Sequence, residues 1–572
     1  MKRNKLSYLA TLFAAIVLSS CGGLNKMKDK ASGVKYSATP QVLESKGGEV
    51  EVTISGTYPA KYFNKKAVLE ATPVLKSAGG ETAFKSYKVQ GEGVQGNEKV
   101  IKYTEGGSFS YTDKVPYKPE MKVSSLEVKV KGTVKTTSVD FPGVKIGDGV
   151  IATEFLVVKD PRAISMGDKF QRVIPESYQA DIKYLINKAD VRTTETKKEE
   201  LKNFNTTFAT LKKDSTKQIK DLTISAYASP DGALELNEKL AEKRKESANK
   251  YFAGELKKAK LNKEVDDNLF KYLTTAEDWD GFKTLLEKSD VRDKELILRV
   301  LSMYSDPVVR EREIKNISAA FEEVKEKILP ELRRSKFILN VDAVGKSDEQ
   351  LVAIATSDPQ SLNIEELLYA AALTQDMNQK LSIYQAAATK YPDDVRAKNN
   401  VGYALINLKR ADEAQTALQA AKQVNDNDVV KNNLGVVAMM KGDLKAAEEL
   451  FTSAMGAGES VSYNLGIIKI IQGKYADAIN YFGNSNEINA ALAKLLAKQN
   501  DAALATLNNV KSDDALVSYL KAIVGARTGN TDMLYNNLRA AAGKSAELKA
   551  NAKTDMEFGK YFNEDTFKSI VQ

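Results

Sequence analysis

Small residues recur at a nearly fixed period in the last third of this chain. Gly402, Gly435 and Gly466 follow one another at spacings of 33 and 31 residues, and Leu368 stands 34 residues before the first. Twelve residues beyond each come Lys380, Ala414, Ala447 and Ala478, and four further on Tyr384, Leu418, Phe451 and Phe482. A unit of this length holds two helices and cannot bury its apolar face alone, so neighbouring units must stack into a solenoid. The small residue marks where paired helices approach closely, and the larger one fills the gap to the next repeat. Tyr391-Pro392 closes the first unit, and Gly442 and Gly473 fall at turns between helices. Past Ala490 the pattern decays but stays helical, over residues 501–507, 516–527 and 533–542. A tail containing Phe558, Tyr561, Phe562 and Phe567 is placed to cap the array. Residues 360–572 are therefore predicted to be an all-α solenoid.

These four units in register resemble the tetratricopeptide repeat. The resemblance implies a concave surface that takes peptides or proteins, hence one or more protein partners whose identity stays open. Asn399, Asn400, Asn432, Asn433 and Asn464 stand just before the small residue of the first helix. In that family asparagines on the inner helix can clamp a peptide backbone, which makes Asn400, Asn433 and Asn464 the partner-binding candidates. Taken by themselves, the same residues suit solvated helix positions equally well.

The opposite end constrains location. Met1-Lys2-Arg3-Asn4-Lys5 precedes an apolar run from Leu6 to Leu18, then Ser19-Ser20-Cys21-Gly22. A basic start, a short apolar stretch and small residues before a cut make residues 1–20 a secretory signal. The run is shorter than the roughly 20 residues a spanning helix needs. Leu18-Ser19-Ser20-Cys21 resembles the lipobox of bacterial lipoproteins, which implies acylation of Cys21 with palmitate-type chains and anchoring to a membrane, two or more chains being needed for stable hold. The absence of an aspartate after Cys21 and of an acidic cluster beyond it favours the outer membrane, facing the periplasm.

Cys21 is the only cysteine and the chain has no histidine. Ser-His-Asp and Cys-His catalysis, His/Cys metal sites and disulfides are thereby excluded. No pair of carboxylates stands at a spacing that would single it out, so no catalytic residue, metal or cofactor is assigned. The formal charge of +8 falls to +5 once Lys2, Arg3 and Lys5 are removed, which does not suggest nucleic acid.

Residues 21–35 read as a polar tether. From 36 to 160 the period becomes two: Val50, Val52 and Ile54 alternate with polar residues, as do Leu126, Val128 and Val130. Glycine pairs at 47–48, 79–80 and 106–107 punctuate the strands. Short alternating strands with regular turns predict an all-β, immunoglobulin-like sandwich. Either a binding domain or a spacer fits that pattern.

The middle, 161–345, reads as α+β. Tyr184-Leu185-Ile186-Asn187 is strand-like, and a helix follows with Leu201, Phe204, Phe208 and Leu211 on one face. A second strand, Leu222–Tyr227, leads into the type I turn sequence Ser229-Pro230-Asp231-Gly232 and a long charged helix from Leu234 to Phe252. Asn237, Leu240 and Arg244 on that helix resemble the Asn-x-x-Leu-x-x-x-Arg of OmpA-like domains, and Leu332-Arg333-Arg334 resembles their final strand entry. The resemblance implies peptidoglycan binding, with Ser229, Asp231, Asn237 and Arg244 as candidates, the arginine gripping a carboxylate of the wall peptide. Ser229 stands where the family has the aspartate that holds an ammonium group. Read without the resemblance, Arg244 is a surface helix arginine and Asp231 a turn former. Residues of about 255–325 read as a helical insertion, with Trp279 and Phe282 as its core anchors.

Together these readings describe a multidomain, non-enzymatic envelope lipoprotein: a β-sandwich, an OmpA-like domain with an insertion, and a repeat solenoid. It would serve as a lipid-anchored scaffold binding peptidoglycan and recruiting proteins. A surface-exposed adhesion or glycan-capture lipoprotein is the competing reading.

Overall fold

The computed structural model describes residues 22–261 and 267–572. Cys21 and the leader before it lie outside the described residues. The chain divides into two compact units, one containing residues up to Gly167 together with Asp376–Gln572, the other Asp168–Gln375.

The first unit opens with a β-sandwich. Glu49–Tyr58 pairs antiparallel with Gly107–Pro116 along one side and with Lys35–Thr39 and Leu43–Lys46 along the other. Val68–Ser77 and Ser124–Val134 pair antiparallel in the second sheet. Alternation sends Val50, Val52 and Ile54 from one sheet, and Leu69, Ala71, Leu126 and Val128 from the other, into a common core. The stretch expected to be a tether is different: residues 22–29 are helical, and Leu24 and Met27 are buried in that core. Their i, i+3 spacing puts both on one helix face, a signal hidden among Lys26, Lys28 and Lys30.

The solenoid follows Met377–Lys390 with five helix pairs. The inner helices are Val395–Asn407, Asp428–Met440, Glu459–Ile471, Ile488–Leu496 and Ala515–Thr528. Asp394, Asn427 and Asp514 cap three of them by accepting first-turn N–H bonds. Gly442 and Gly473, at φ of 83° and 71°, turn the chain into the next helix. The helix holding Leu368, Ile364–Leu373, belongs to the second unit, so the array of the first unit begins one helix later than the spacing predicts.

The glycine–aromatic spacing has a direct packing cause. A Cβ on Gly435 would lie 2.6 Å from the Phe451 ring, and one on Gly466 2.6 Å from the Phe482 ring. Gly466→Ala should gain up to about 1 kcal/mol of helix propensity but lose about 1–3 kcal/mol to overpacking. Overpacking wins here, because Tyr463 stacks edge-on against Phe482 at 5.6 Å and leaves the ring little room to move. We expect a lower melting temperature for Gly466→Ala, partly restored when Phe482→Leu is added; an unchanged melt would refute the packing account.

The tail closes the array. Phe558 and Phe567 are buried, and Asp555 accepts 2.7 Å from the Tyr519 hydroxyl. Burial, with the Glu557 charge adding to it, pushes the Asp555 carboxyl from 3.8 up to about 6. A carboxyl raised in the fold contributes stability that is complete below the unfolded value and lost as pH rises through the folded one. Unfolding measured from pH 3 to 8 should therefore show wild type losing stability relative to Asp555→Asn between about pH 4 and about 6; parallel curves would count against it.

Sandwich and solenoid are joined at Glu154. Its carboxylate accepts from the Ser45 hydroxyl (2.5 Å), from Gly47 and Gly48 N–H (2.6 and 3.0 Å), and from the Tyr475 hydroxyl (2.9 Å). Next to it Thr153 donates to Glu557, which also pairs with the half-buried Arg527.

The second unit has a four-stranded sheet. Arg334–Val344 lies between Val173–Lys183 and Lys217–Tyr227, antiparallel to both, and Phe270–Thr275 extends the sheet parallel to Lys217–Tyr227. Helices Glu199–Leu211 and Leu234–Lys258 supply Leu201, Phe204, Phe208, Ala248 and Phe252 to its core. Three expectations change. The first strand is 173–183 rather than 184–187. The region read as an insertion contains a strand, Phe270–Thr275, whose residues are mostly exposed and so show no alternation. The helical part runs from Trp279 to Leu332 around its own core, with Phe282, Leu286, Ile297 and Leu329 buried and Trp279 packed against them. Residues 161–167, assigned from sequence to this domain, belong to the first unit. Among the described residues no helix is long and apolar enough to cross a membrane.

Candidate functional site

Between the sandwich and the second unit the chain has no regular structure, and residues 158–166 lie extended along the inner helices of the solenoid. Four asparagines hold this strap by its main chain. The Asn489 carboxamide accepts from Val158 N–H (2.9 Å) and donates to Val158 C=O (2.8 Å). Asn464 does the same for Arg162 (2.6 and 3.0 Å), Asn433 for Ile164 (2.7 and 2.7 Å) and Asn400 for Met166 (2.7 and 2.8 Å). From Asn400 to Asn464 each repeat advances the strap by two residues. That is the period at which an extended chain turns the same side back to one surface.

A second row completes the pattern. Asn399 donates to Ile164 C=O and to Asn400; Asn432 donates to Arg162 C=O and to Asn433. Asn433 donates in turn to Asn399, and Asn464 to Asn432. All six carboxamides are buried, none more than 1% exposed. The reading of Asn399, Asn400, Asn432, Asn433 and Asn464 as solvated positions is therefore incorrect. A carboxamide offers one acceptor and two N–H donors, so the ladder satisfies strap and helices together. Pro161 falls between clamped residues, where its missing N–H costs nothing.

One strap side chain has a charged and aromatic seat. The Arg162 guanidinium lies 3.7 Å from the centre of the Tyr463 ring and 2.7 Å from the Glu487 carboxylate. The Tyr463 hydroxyl donates to Asp160 at 2.7 Å. Burial and the Asp160 charge push that hydroxyl well above its ordinary range, so it stays a donor at neutral pH. A cleft of about 480 Å³ opens beside Arg162, lined also by Glu459, Tyr481 and Glu487.

Asn489 was missed by the sequence reading. It stands only 25 residues after Asn464, because the intervening helix Tyr475–Phe482 is short, and this breaks the period.

The OmpA-like candidates are placed differently. Arg244 is 0% exposed, not a surface residue. Its guanidinium donates to the carbonyls of Tyr227 (2.7 Å), Lys188 (3.1 Å) and Leu185 (3.4 Å), and stacks on Tyr184 at 5.1 Å. Burial lowers its pKa to about 10, which leaves it charged at neutral pH. Asp231 pairs with Arg333 at 2.9 Å and accepts from the Ser229 hydroxyl. Arg333 also donates to the Ser229 oxygen (3.2 Å). Asn237 donates to the Ser229 and Gly232 carbonyls, closing the turn. Ser229, Asp231 and Asn237 thus close one turn while Arg244 bonds to the strand end before it and to the loop at 185–188, and the polar groups of all four are engaged by the protein itself. Arg333, their charged partner, was visible in sequence only as part of an Arg-Arg pair.

No family model matches the chain. A curated relative, the BBSome complex member BBS4 of Bos taurus, is 27% identical over 126 residues, 22% of this chain. The chain spans about a quarter (24%) of that relative's length. Three solved structures are similar to it, each over 39% of this chain. They are the Cut9–Hcn1 hetero-tetramer of the APC/C (17% identical, 45% of that chain, TM-score 0.31), a tetratricopeptide repeat protein from Parabacteroides merdae (14%, 89%, 0.28) and the type IV pilus biogenesis factor PilW (19%, 99%, 0.28). At these TM-scores the likenesses carry no argument about function. The C-terminal helices are tetratricopeptide-like on the spacing and packing described above, and the N-terminal region is β-rich.

Proposed function

We propose that this chain is a non-enzymatic scaffold of the cell envelope, lipid-anchored through Cys21 to the outer membrane on its periplasmic side, whose solenoid binds proteins. The observation that carries the reading is the asparagine ladder. Its paired bonds address the N–H and C=O that every extended peptide carries, so the surface is built to hold protein main chain rather than to perform chemistry. Peptidoglycan, which the OmpA-like resemblance implies, stays outside this reading. A wall peptide would find Arg244, Asp231 and Ser229 already bonded within the fold.

Two measurements test it. Cys21→Ser should move the chain from the membrane fraction to the soluble one and abolish palmitate labelling; retention in the membrane would refute the anchor. A photo-crosslinking residue in place of Tyr481, beside the groove, should give discrete adducts with another envelope protein in cells. Only self-adducts at every exposure would refute the scaffold.

A further inference from the structure

We infer that residues 158–166 are a displaceable internal ligand, and that the partner which replaces them is an extended protein segment carrying an arginine at the position of Arg162. The inference rests on the reading of the solenoid as an interaction surface and says what that surface recognises and how it is held closed.

The clamps grip the strap at Val158, Arg162, Ile164 and Met166 through main chain alone, so they tolerate any side chain there. Selectivity comes from the strap side chains that the helices hold, Arg162 above all. Arg162 combines a flat stacking surface on Tyr463 with a carboxylate at Glu487, and Glu459 adds a second acid to the same cleft. A planar cation suits this seat better than a lysine ammonium. An incoming segment would also keep a hydrogen-bond acceptor two residues before its arginine, where Asp160 receives the Tyr463 hydroxyl. Proline is acceptable one residue before, as at Pro161.

The strap sits on the groove rather than inside a core. Lys159, Asp160, Ser165 and Gly167 are exposed, Arg162, Ile164 and Met166 half-buried. A competitor can therefore replace it bond for bond without opening the helices. Being covalently attached, the strap acts at a local concentration on the order of millimolar, and this suppresses a competing peptide by roughly 10²–10³-fold.

The test uses the full mature chain and a fluorescent synthetic peptide with the sequence of residues 156–168. Binding is followed by anisotropy to wild type, to Arg162→Ala, and to a chain whose residues 158–166 are replaced by a glycine–serine segment of equal length. The strap-replaced chain should bind at least about 100-fold more tightly than wild type, with Arg162→Ala in between. A peptide with alanine in place of its arginine should bind the strap-replaced chain about tenfold more weakly. Equal uptake by the wild-type and a folded strap-replaced chain, or no loss with the alanine peptide, would overturn the inference. If the strap-replaced chain fails to fold, equal uptake by wild type and Arg162→Ala overturns it. Failure here together with discrete crosslinked partners would remove the groove from the scaffold reading and leave the scaffold itself standing.

Discussion

Arg244→Ala should unfold the second unit at temperatures where the wild-type chain is intact. The substitution removes the guanidinium bonds to the carbonyls of Tyr227, Lys188 and Leu185 and empties the space of a fully buried arginine. Each bond lost is worth about 1 kcal/mol net, and the cavity left by a fully buried side chain adds about 2 kcal/mol or more. The sum, at least about 3 kcal/mol, is a large part of what a domain has in reserve. Arg244→Lys should fall between, since an ammonium has the charge but cannot span three carbonyls in a planar fork. Urea unfolding followed by circular dichroism measures this. An unaltered melt combined with lost retention on purified sacculi would instead return Arg244 to the ligand role that the OmpA-like resemblance implies.

The second large effect concerns the strap. Asn433→Ala together with Asn464→Ala removes four bonds to Arg162 and Ile164 and cuts the links to Asn399 and Asn432. At about 1 kcal/mol net per bond, the strap should leave the groove for a substantial fraction of the time. The Arg162–Ala163 peptide bond then becomes a trypsin site. We expect wild type to resist at this bond and the double variant to be cut at least about tenfold faster, with the new amino terminus at Ala163 read by sequencing. Equal cleavage rates would show that the asparagines do not hold the strap.

What was legible in the sequence follows the range of the contacts. Gly435 and Phe451 meet across one helix turn-around, so their spacing survives as a period along the chain. The asparagines share that period and were visible as a recurrence. Their occupant was not: Met166 meets Asn400 from 234 residues away and Val158 meets Asn489 from 331, and the strap itself has neither helix nor strand periodicity. Edge position hid Phe270–Thr275, because a strand exposed on both faces need not alternate. Arg244 was hidden by its chemistry, since a charge on a helix is ordinarily placed outward and only its three carbonyl partners explain why this one is not.

The helix at residues 22–29 bears on how far the protein can reach. Leu24, three residues after Cys21, is sealed in the sandwich core at 0% exposure. A chain spans at most about 3.5 Å per residue, so a lipid on Cys21 would keep that core within roughly 10 Å of the bilayer surface. Under the proposed anchor the protein would therefore stand close to the bilayer, its reach limited by the same two side chains, Leu24 and Met27, that complete its first domain.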